Sequence, residues 1–583
     1  MSNHLVKCVQ TTPYLDQNPG TSGLRKRCKI YTQKDYTENF LQSIFDNIYP
    51  EIRETGCLII GGDGRYLTKE VAIKSVQMAA ANRFRKVMVC KDGLGSTPAI
   101  SHLIKKFQTT GALILTASHN PGGPEGDFGI KYNVQTGGGA PESVTNAIFE
   151  TSKKLKSYYI CPYLVPDLRN ISSLEYQVEH LDGEVRTFEV EVIDAVIDYV
   201  SYMQTIFDFE FIKSFIDKGL GDKPTKICID SRNGIAGIYC TSIFRDVMGL
   251  PEEYIKNSTP LADFGGLHPD PNPFYAADFI QKIVDEECEF GASFDGDADR
   301  CMIIGKNGFY VSPSDTVAVI SASALKCIPY FKKKGHLNGL ARSMPTSCAL
   351  DKVAEFLSIE CGRTCECYEV PTGWKFFCNL MDAGKVDICG EESFGGSSTH
   401  IREKDGIWVC LGNAFDNLAW LSVLAYHRKS VSEIMCDHWR KFGRHYYSRH
   451  DYEDLSSEQG QAVLQTLQIL IDSDIQGREF KTHNRTTRVS RADNFQYLDP
   501  VDHSSSFNQG YRIMFENQDR IVVRMSGTGS QGATIRIYVE HYEKDFEKMF
   551  VETQEALSDL IHLADQLTNI KLITGRDKPT VIS

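Results

Sequence analysis

Residues 111–123 read GALILTASHNPGG. A short apolar run, ALIL, delivers the polar cluster TASHN into a turn closed by Pro121, Gly122 and Gly123. The same plan returns twice. FGASF runs into DGDADR over residues 290–300, and VDIC runs into GEESFGG over 386–396. Helical patterns lie around them, PESVTNAIFETSKKLKSYY at 141–159 and SPSDTVAVISASALKCI at 312–328. Strands that alternate with helices and end in polar, Gly-containing loops are the rhythm of α/β domains, whose ligand loops follow the carboxyl ends of strands. Three such loops predict three α/β domains facing one cleft.

The last stretch differs. YRIMFENQDRIVVRMSGTGSQGATIRIYVEHYE, residues 511–543, reads as strand, turn, strand, loop, strand, and EKMFVETQEALSDLIHLADQL follows with a helical pattern. A smaller α+β domain is expected there. We set the domain limits at 1–198, 199–311, 312–440 and 441–583. A chain of 583 residues is long enough for several cores.

Composition narrows the function classes. A net charge of −13 argues against a general nucleic-acid surface. No window approaches the roughly 18 apolar residues of a membrane span, and MSNHLVKCVQTTPY lacks an apolar signal core. The 18 cysteines contain no CxxC pair, and even the tightest group, Cys361, Cys365 and Cys367, reads more simply as scattered thiols than as a metal site. A cytoplasmic protein without membrane or nucleic-acid partners is expected.

DGDADR carries the clearest chemistry. Asp295, Asp297 and Asp299 alternate, so on an extended segment their carboxylates converge. Converging carboxylates repel unless a cation lies between them, and hard oxygen ligands suit Mg²⁺. An EF-hand is excluded, because Arg300 and Lys306 stand where that loop needs Gly and Glu. A solvated acidic turn is the bland alternative. Arg300 is placed to neutralise the site or to hold a phosphate.

RMSGTGSQGATIR, residues 524–536, offers backbone N–H groups and hydroxyls without bulk, and Arg536 supplies a fork of donors. Such a nest binds phosphate, although a flexible hairpin reads similarly. GEESFGG adds Glu391 and Ser393, suited to sugar hydroxyls, but a salt-bridged surface loop fits as well. PGTSGLRKR places Arg25 after a Gly-bounded turn. Ser118 next to His119 invites a hydrolase reading. That reading is poor, because GxSxG is absent and neighbouring side chains on an extended chain point apart. A phosphorylated Ser118 would instead supply the oxygen that a three-Asp Mg²⁺ site lacks. Lys131 follows in FGIKYN as a candidate proton-handling group.

These motifs, in this order, resemble the α-D-phosphohexomutase superfamily. DFGGLHPDPN, ARSMPTS, PTGWKFF, REKDG and ADNFQYLDPVD extend the resemblance across nearly the whole chain and point to its animal-type phosphoglucomutase-1 branch. The resemblance implies three α/β domains with mixed sheets and a TBP-like α+β fourth domain around a central cleft. It implies reversible conversion of glucose 1-phosphate and glucose 6-phosphate by a monomer, through a phosphoserine and glucose 1,6-bisphosphate, with one Mg²⁺ per chain. Carried onto this sequence, Ser118 is the phosphoserine and a metal ligand with Asp295, Asp297 and Asp299. Arg25, Arg300, Lys131 and His119 line the reaction centre. Thr372, Glu391, Ser393 and Lys404 meet the sugar, and Ser526, Thr528, Gly529 and Arg536 hold the distal phosphate. Two departures stand out: VCLGNAFDN after REKDGIW is longer than the pattern, and Asn233 replaces an expected His, away from the assigned residues. Three readings compete with the enzyme: an inactive aciculin-like adhesion or scaffold paralogue, a mutase for another hexose phosphate, and a glucose 1,6-bisphosphate synthase that uses the same parts with a different phosphoryl donor.

Overall fold

The computed structural model describes residues 3–20, 22–220, 223–411, 420–483, 485–526 and 532–583. Three mixed sheets and one antiparallel sheet build the body of the chain. The first sheet runs in the order His4–Leu5, Ser172–Glu179, Val185–Ile193, Lys86–Leu94, Cys57–Gly62, Gly111–Leu115, Asp127–Val134, Leu24–Arg27. The second runs Ile255–Lys256, Ile227–Asp230, Phe290–Phe294, Cys301–Gly305, Phe309–Val311. The third runs Glu366–Val370, Gly339–Ser343, Ile388–Gly390, Gly396–Ser398.

The three sheets share one device. In each, a wholly buried strand lies parallel to its inner neighbour: Gly111–Leu115 to Cys57–Gly62, Phe290–Phe294 to Ile227–Asp230, and Ile388–Gly390 to Gly339–Ser343. Each then turns into an antiparallel partner, Asp127–Val134, Cys301–Gly305 or Gly396–Ser398. Strands buried on both faces read as unbroken apolar runs, which is why GALIL and FGASF carry no alternation. The loop made at each reversal is one of the three polar loops read from the sequence.

Local chemistry starts the flanking helices. Ser96 caps helix Thr97–Phe107 through the Ala99 N–H, with Pro98 in the first turn. Ser312 does the same for Pro313–Cys327 through Asp315 N–H. The second and third sheets share one apolar cluster that runs from Tyr199 and Phe215 through Phe294 to Trp408 and Leu421, so their two loops are held in fixed relation.

The fourth sheet is antiparallel throughout, in the order Glu479–Lys481, Thr486–Asn494, Tyr511–Phe515, Arg520–Ser526, Ala533–Glu543, Arg444–Leu455, Val581–Ile582. Helices Ser457–Asp472 and Thr553–Thr568 bury Val463, Leu467, Leu557, Leu560 and Leu563 against it. Arg520 fastens this sheet to the third domain. Its guanidinium donates to the carbonyls of Met344 (2.8 Å) and Thr346 (2.6 Å) and pairs with Glu540, which accepts from the Cys348 N–H at 2.7 Å.

One helical expectation ends early. The pattern from 141 to 159 forms a helix only over Glu142–Ser152, and Ser157–Ile160 is a strand paired with Lys7–Gln10. That partner lies some 150 residues away in sequence, so the local pattern could not announce it. All 18 cysteines are free thiols. No helix among the described residues is long and apolar enough to cross a membrane. Of the longer stretch after REKDGIW, Val409 and Cys410 end helix Gly406–Cys410, and residues 412–419 lie outside the described residues.

Candidate active site

Ser118 sits at the first reversal, buried, with a left-handed φ of 52°. Its Oγ donates to Asp295 Oδ2 at 2.7 Å, across the boundary between the first two sheets. The loop that carries it is clamped from below. Arg65 donates through Nη2 to the Ser118 carbonyl (2.6 Å) and through Nη1 to the carbonyls of Asp127 (3.0 Å) and Asn120 (3.3 Å). Asp63 pairs with Arg65 Nε at 2.8 Å and accepts from Thr116 Oγ1 at 2.6 Å, and Thr116 Oγ1 accepts from the Ser118 N–H at 2.8 Å.

The positive φ overturns one expectation. On an extended chain His119 would point away from Ser118, but the left-handed turn brings its Nδ1 to 3.4 Å from Ser118 Oγ. Burial pushes the His119 imidazole well below its usual pKa, and Arg300, Arg25 and Lys404 push the same way.

The second loop brings Asp295, Asp297 and Asp299 together, with ligand oxygens all within 4.8 Å of one another. They converge through a turn rather than on an extended segment, because Ala298 takes φ 65°. Asp295 Oδ1 accepts from the Arg300 N–H at 3.1 Å, and Asp297 Oδ2 accepts from Thr97 Oγ1 at 2.7 Å. Asp297 Oδ1 and Asp299 Oδ1 are buried without a hydrogen-bond partner. Burial and the neighbouring carboxylates push Asp295 far up and Asp297 up. Burial also works against Asp299, yet Lys404, Arg300, Lys131 and Arg25 hold it below the usual carboxylate range. Orphaned oxygens and crowded charge of this kind fit a hard divalent cation, with Ser118 Oγ beside it. Among the described residues this is the one cluster with metal-holding geometry.

Cations ring the acids. Arg300 lies 3.7 Å from Asp299, 3.8 Å from Asp270 and 3.9 Å from Asp295. Arg25 pairs in register with Gly129, and its Nε has no partner although buried. Burial lowers the Arg25 pKa, with Arg300 and Arg65 adding and Asp297 and Asp299 opposing. Lys404 lies 3.3 Å from Glu391. Burial would lower its pKa, but Asp299 and Glu391 raise it overall. Lys131 is paired with Glu403, which also accepts from Asn133 Nδ2 at 2.8 Å.

The third loop contributes less uniformly. Glu391 accepts from the Gly373 N–H at 3.2 Å, while Glu392 turns back to Ser343 Oγ (3.1 Å) and Thr346 Oγ1 (3.5 Å). Ser393 is half-exposed, and Thr372 Oγ1 is buried without a partner. Direct contacts join the loops. Gly406 N–H donates to the Ala298 carbonyl at 3.0 Å, and Cys301 N–H to the Phe394 carbonyl at 3.1 Å. A Cβ at Gly296 would lie 2.6 Å from the Ser118 carbonyl, so only glycine permits that approach.

Two of the four fourth-domain candidates lie among the described residues. Ser526 ends strand Arg520–Ser526, and Arg536 Nε lies 3.6 Å from Asp451 on the adjacent strand. Thr528 and Gly529 lie outside the described residues. The substitution at Asn233 is nearer the site than expected. Asn233 takes φ 54° and donates to the Thr259 carbonyl at 2.9 Å, while Ile235 two residues on donates to the Gly296 carbonyl at 3.0 Å. Sequence reading missed Asp63, Arg65, Thr97, Thr116 and Glu403. A signal for the first pair was present: GDGR after CLIIG matches IDSR in the second sheet, where the Asp230 carboxylate likewise accepts from the Arg232 N–H at 2.9 Å.

Comparison with known proteins agrees with this layout. Models of the phosphoglucomutase/phosphomannomutase alpha/beta/alpha domains I, II and III match residues 16–159, 198–308 and 313–442, and the model of the phosphoglucomutase-1 C-terminal domain matches 444–580. The chain belongs to the phosphoglucomutase/phosphomannomutase family. Phosphoglucomutase-1 of Bos taurus is 47% identical over 577 residues, covering 99% of each chain. Phosphoglucomutase of Rhizobium radiobacter is 47% identical over 580 residues, covering 99% of this chain and all of its own. Among solved structures, the Paramecium exocytosis-sensitive phosphoprotein parafusin, a phosphoglucomutase, superposes with a TM-score of 0.87 at 42% identity over the whole of both chains. The phosphohexomutase fold of three α/β domains and a separate C-terminal domain is therefore shared along the full length.

Proposed function

We infer that this chain interconverts α-D-glucose 1-phosphate and glucose 6-phosphate through a phosphoserine at Ser118 and a glucose 1,6-bisphosphate intermediate. The observation that carries the reading is the Ser118 hydroxyl, 2.7 Å from the first of three converging buried aspartates in a full-length family member. In phosphoryl transfer the protein contributes position and charge more than covalent chemistry. Arg65 and Asp63 hold the serine loop, so Ser118 Oγ meets the sugar at a fixed place. As a bond forms between phosphorus and a sugar hydroxyl oxygen, the bond from phosphorus to Ser118 Oγ breaks, Ser118 Oγ takes a proton from the Lys131 ammonium, and the proton released by the sugar hydroxyl recharges Lys131. Lys131 is assigned to proton handling. Arg25, Arg300 and His119 face the transferring group, and Lys404, Glu391, Ser393 and Thr372 face the sugar hydroxyls.

Asp295, Asp297 and Asp299 would hold Mg²⁺, which when bound draws charge from the serine oxygen and makes it a better leaving group. Ser526, Thr528, Gly529 and Arg536 are assigned to the phosphate that is not moving, and remote binding there aligns the reacting end. The protein is expected to act as a cytoplasmic monomer, with domain limits at 1–198, 199–311, 312–440 and 441–583. An inactive scaffold would have no use for the intact serine and aspartate loops, and a mutase for another hexose phosphate has no particular residue in its favour.

The test is a coupled assay with glucose 1-phosphate, Mg²⁺ and catalytic glucose 1,6-bisphosphate. Turnover should need all three, and Ser118→Ala should abolish it. Intact-mass measurement should find phosphate on Ser118. Full turnover by Ser118→Ala would overturn the reading.

A further inference from the structure

We propose that Glu403 is the positioning residue for Lys131: it reaches across from the third domain to fix the ammonium against the reaction centre. This rests on the reading of Lys131 as a proton-handling group. Lys131 and Asn133 are two apart on strand Asp127–Val134, so their side chains leave one face of the first sheet. Both donate to the same oxygen, Glu403 Oε1. Lys131 is 8% exposed, Asn133 0% and Glu403 1%, so neither charge can turn to water for compensation. Asn133 is itself fixed by donating to the Gly137 carbonyl at 3.0 Å. A buried lysine without a counter-charge drifts towards the neutral amine.

Glu403 is held by its chain neighbours. Arg402 N–H donates to Ser101 Oγ at 3.1 Å in the first domain. Asp405 accepts from Tyr199 Oη at 2.6 and 2.7 Å, from the Trp408 N–H at 2.9 Å, and lies 2.9 Å from His400 Nε2. The segment Arg402–Asp405 is thus nailed at both ends, and the two side chains between serve opposite partners, Glu403 to Lys131 and Lys404 to Glu391. Asp299 on the metal loop and the Cys378 thiol on helix Trp374–Asp382 also lie within electrostatic reach of Lys131.

Steady-state kinetics of the full chain in both directions, from pH 6 to 9, with Glu403→Gln, Lys131→Met and the double variant, tests this. Glu403→Gln should lower kcat at least tenfold, change KM for glucose 1-phosphate less than threefold, and move the alkaline limb of the kcat profile down by a pH unit or more. Glu403→Asp keeps the charge and should recover part of kcat with the limb back in place. In the Lys131→Met background, Glu403→Gln should cost nothing further. A wild-type profile for Glu403→Gln, or losses that multiply in the double variant, would overturn the proposal. Wild-type kcat in Lys131→Met would instead sink the role given to Lys131, whatever Glu403 does. Should Glu403→Gln not fold, Glu403→Asp and Asn133→Ala carry the same comparison. Asn133→Ala is expected to lower kcat without shifting the limb, and a shifted limb there would count against Glu403 as the charge that matters.

Discussion

The serine loop and the metal loop occupy the same place in successive sheets, yet they are built on opposite principles. Around Ser118 the Arg65 guanidinium, the Asp63 carboxylate and the Thr116 hydroxyl are each used, and together they fix the loop. Around Asp297 and Asp299 a buried oxygen on each is left over, and like charges crowd one another. One loop is satisfied by the protein alone. The other leaves oxygens that the protein does not pair. One fold position can thus serve as a rigid mount or as a set of unpaired acceptors, depending on whether its polar atoms are paired internally.

Removing the clamp tests the first half. Arg65→Ala leaves Asp63 buried without its counter-charge and frees the carbonyls of Ser118 and Asp127. We predict a loss of about 3–5 kcal/mol in unfolding free energy, the cost of breaking a buried pair from one side. Urea unfolding of the metal-free protein measures it. A loss under 1 kcal/mol would make the clamp ornamental.

Removing a carboxylate tests the second half, with the opposite pattern. Asp297→Asn keeps an acceptor for Thr97 Oγ1 but deletes one of three crowded charges. In chelator the variant should be as stable as the parent or more so. With Mg²⁺ its kcat should fall roughly 10²–10³-fold, the scale of losing one charge-stabilising group at a reaction centre. If Asp297→Asn unfolds the metal-free protein as Arg65→Ala does, the contrast between the loops is wrong.

The seam to the fourth domain asks whether internally paired charge is a mount elsewhere too. Burial alone would raise the Glu540 carboxyl, but Arg520, His445 and the Cys348 N–H hold it down at about 2. A carboxylate depressed on folding adds stability that is full above its unfolded value, near 4.5, and is lost as pH falls through the folded value. Glu540 should thus contribute about 3 kcal/mol at neutral pH, lost progressively between pH 4.5 and 2. Acid titration of stability in the parent and in Glu540→Gln checks this. The parent should show the larger acid slope in that window, and parallel curves would remove Glu540 from the mount.

Much of this was legible in residues 111–123, 290–300 and 386–396, because a buried parallel strand needs an unbroken apolar run and a reversal needs polar, Gly-containing sequence. The aspartate triad was legible because alternation brings carboxylates together, although a turn at Ala298 rather than an extended chain does so here. What stayed hidden depends on contacts between distant segments. Arg65 lies 53 residues from Ser118, and Glu403 lies 272 from Lys131. Nothing local distinguishes them from surface charges. His119 was misdirected for a different reason: a positive φ at a serine is uncommon, so the extended reading was the natural one.

The smallest predicted effect isolates the contact between the two loops from the chemistry of either. Gly296 has no charge and no φ that demands glycine, yet an added Cβ would stand 2.6 Å from the Ser118 carbonyl and 2.9 Å from the Phe264 ring. Backbone on one side and a packed ring on the other leave little room to yield. Gly296→Ala should therefore cost about 1–3 kcal/mol, as over-packing does, and part of that should appear as distance between Ser118 Oγ and the aspartates. Metal affinity, read by titrating Mg²⁺ against turnover, should weaken while the glucose 1-phosphate KM stays within threefold. If metal affinity is unchanged and only stability falls, the two loops are neighbours that pack, not two halves of one site.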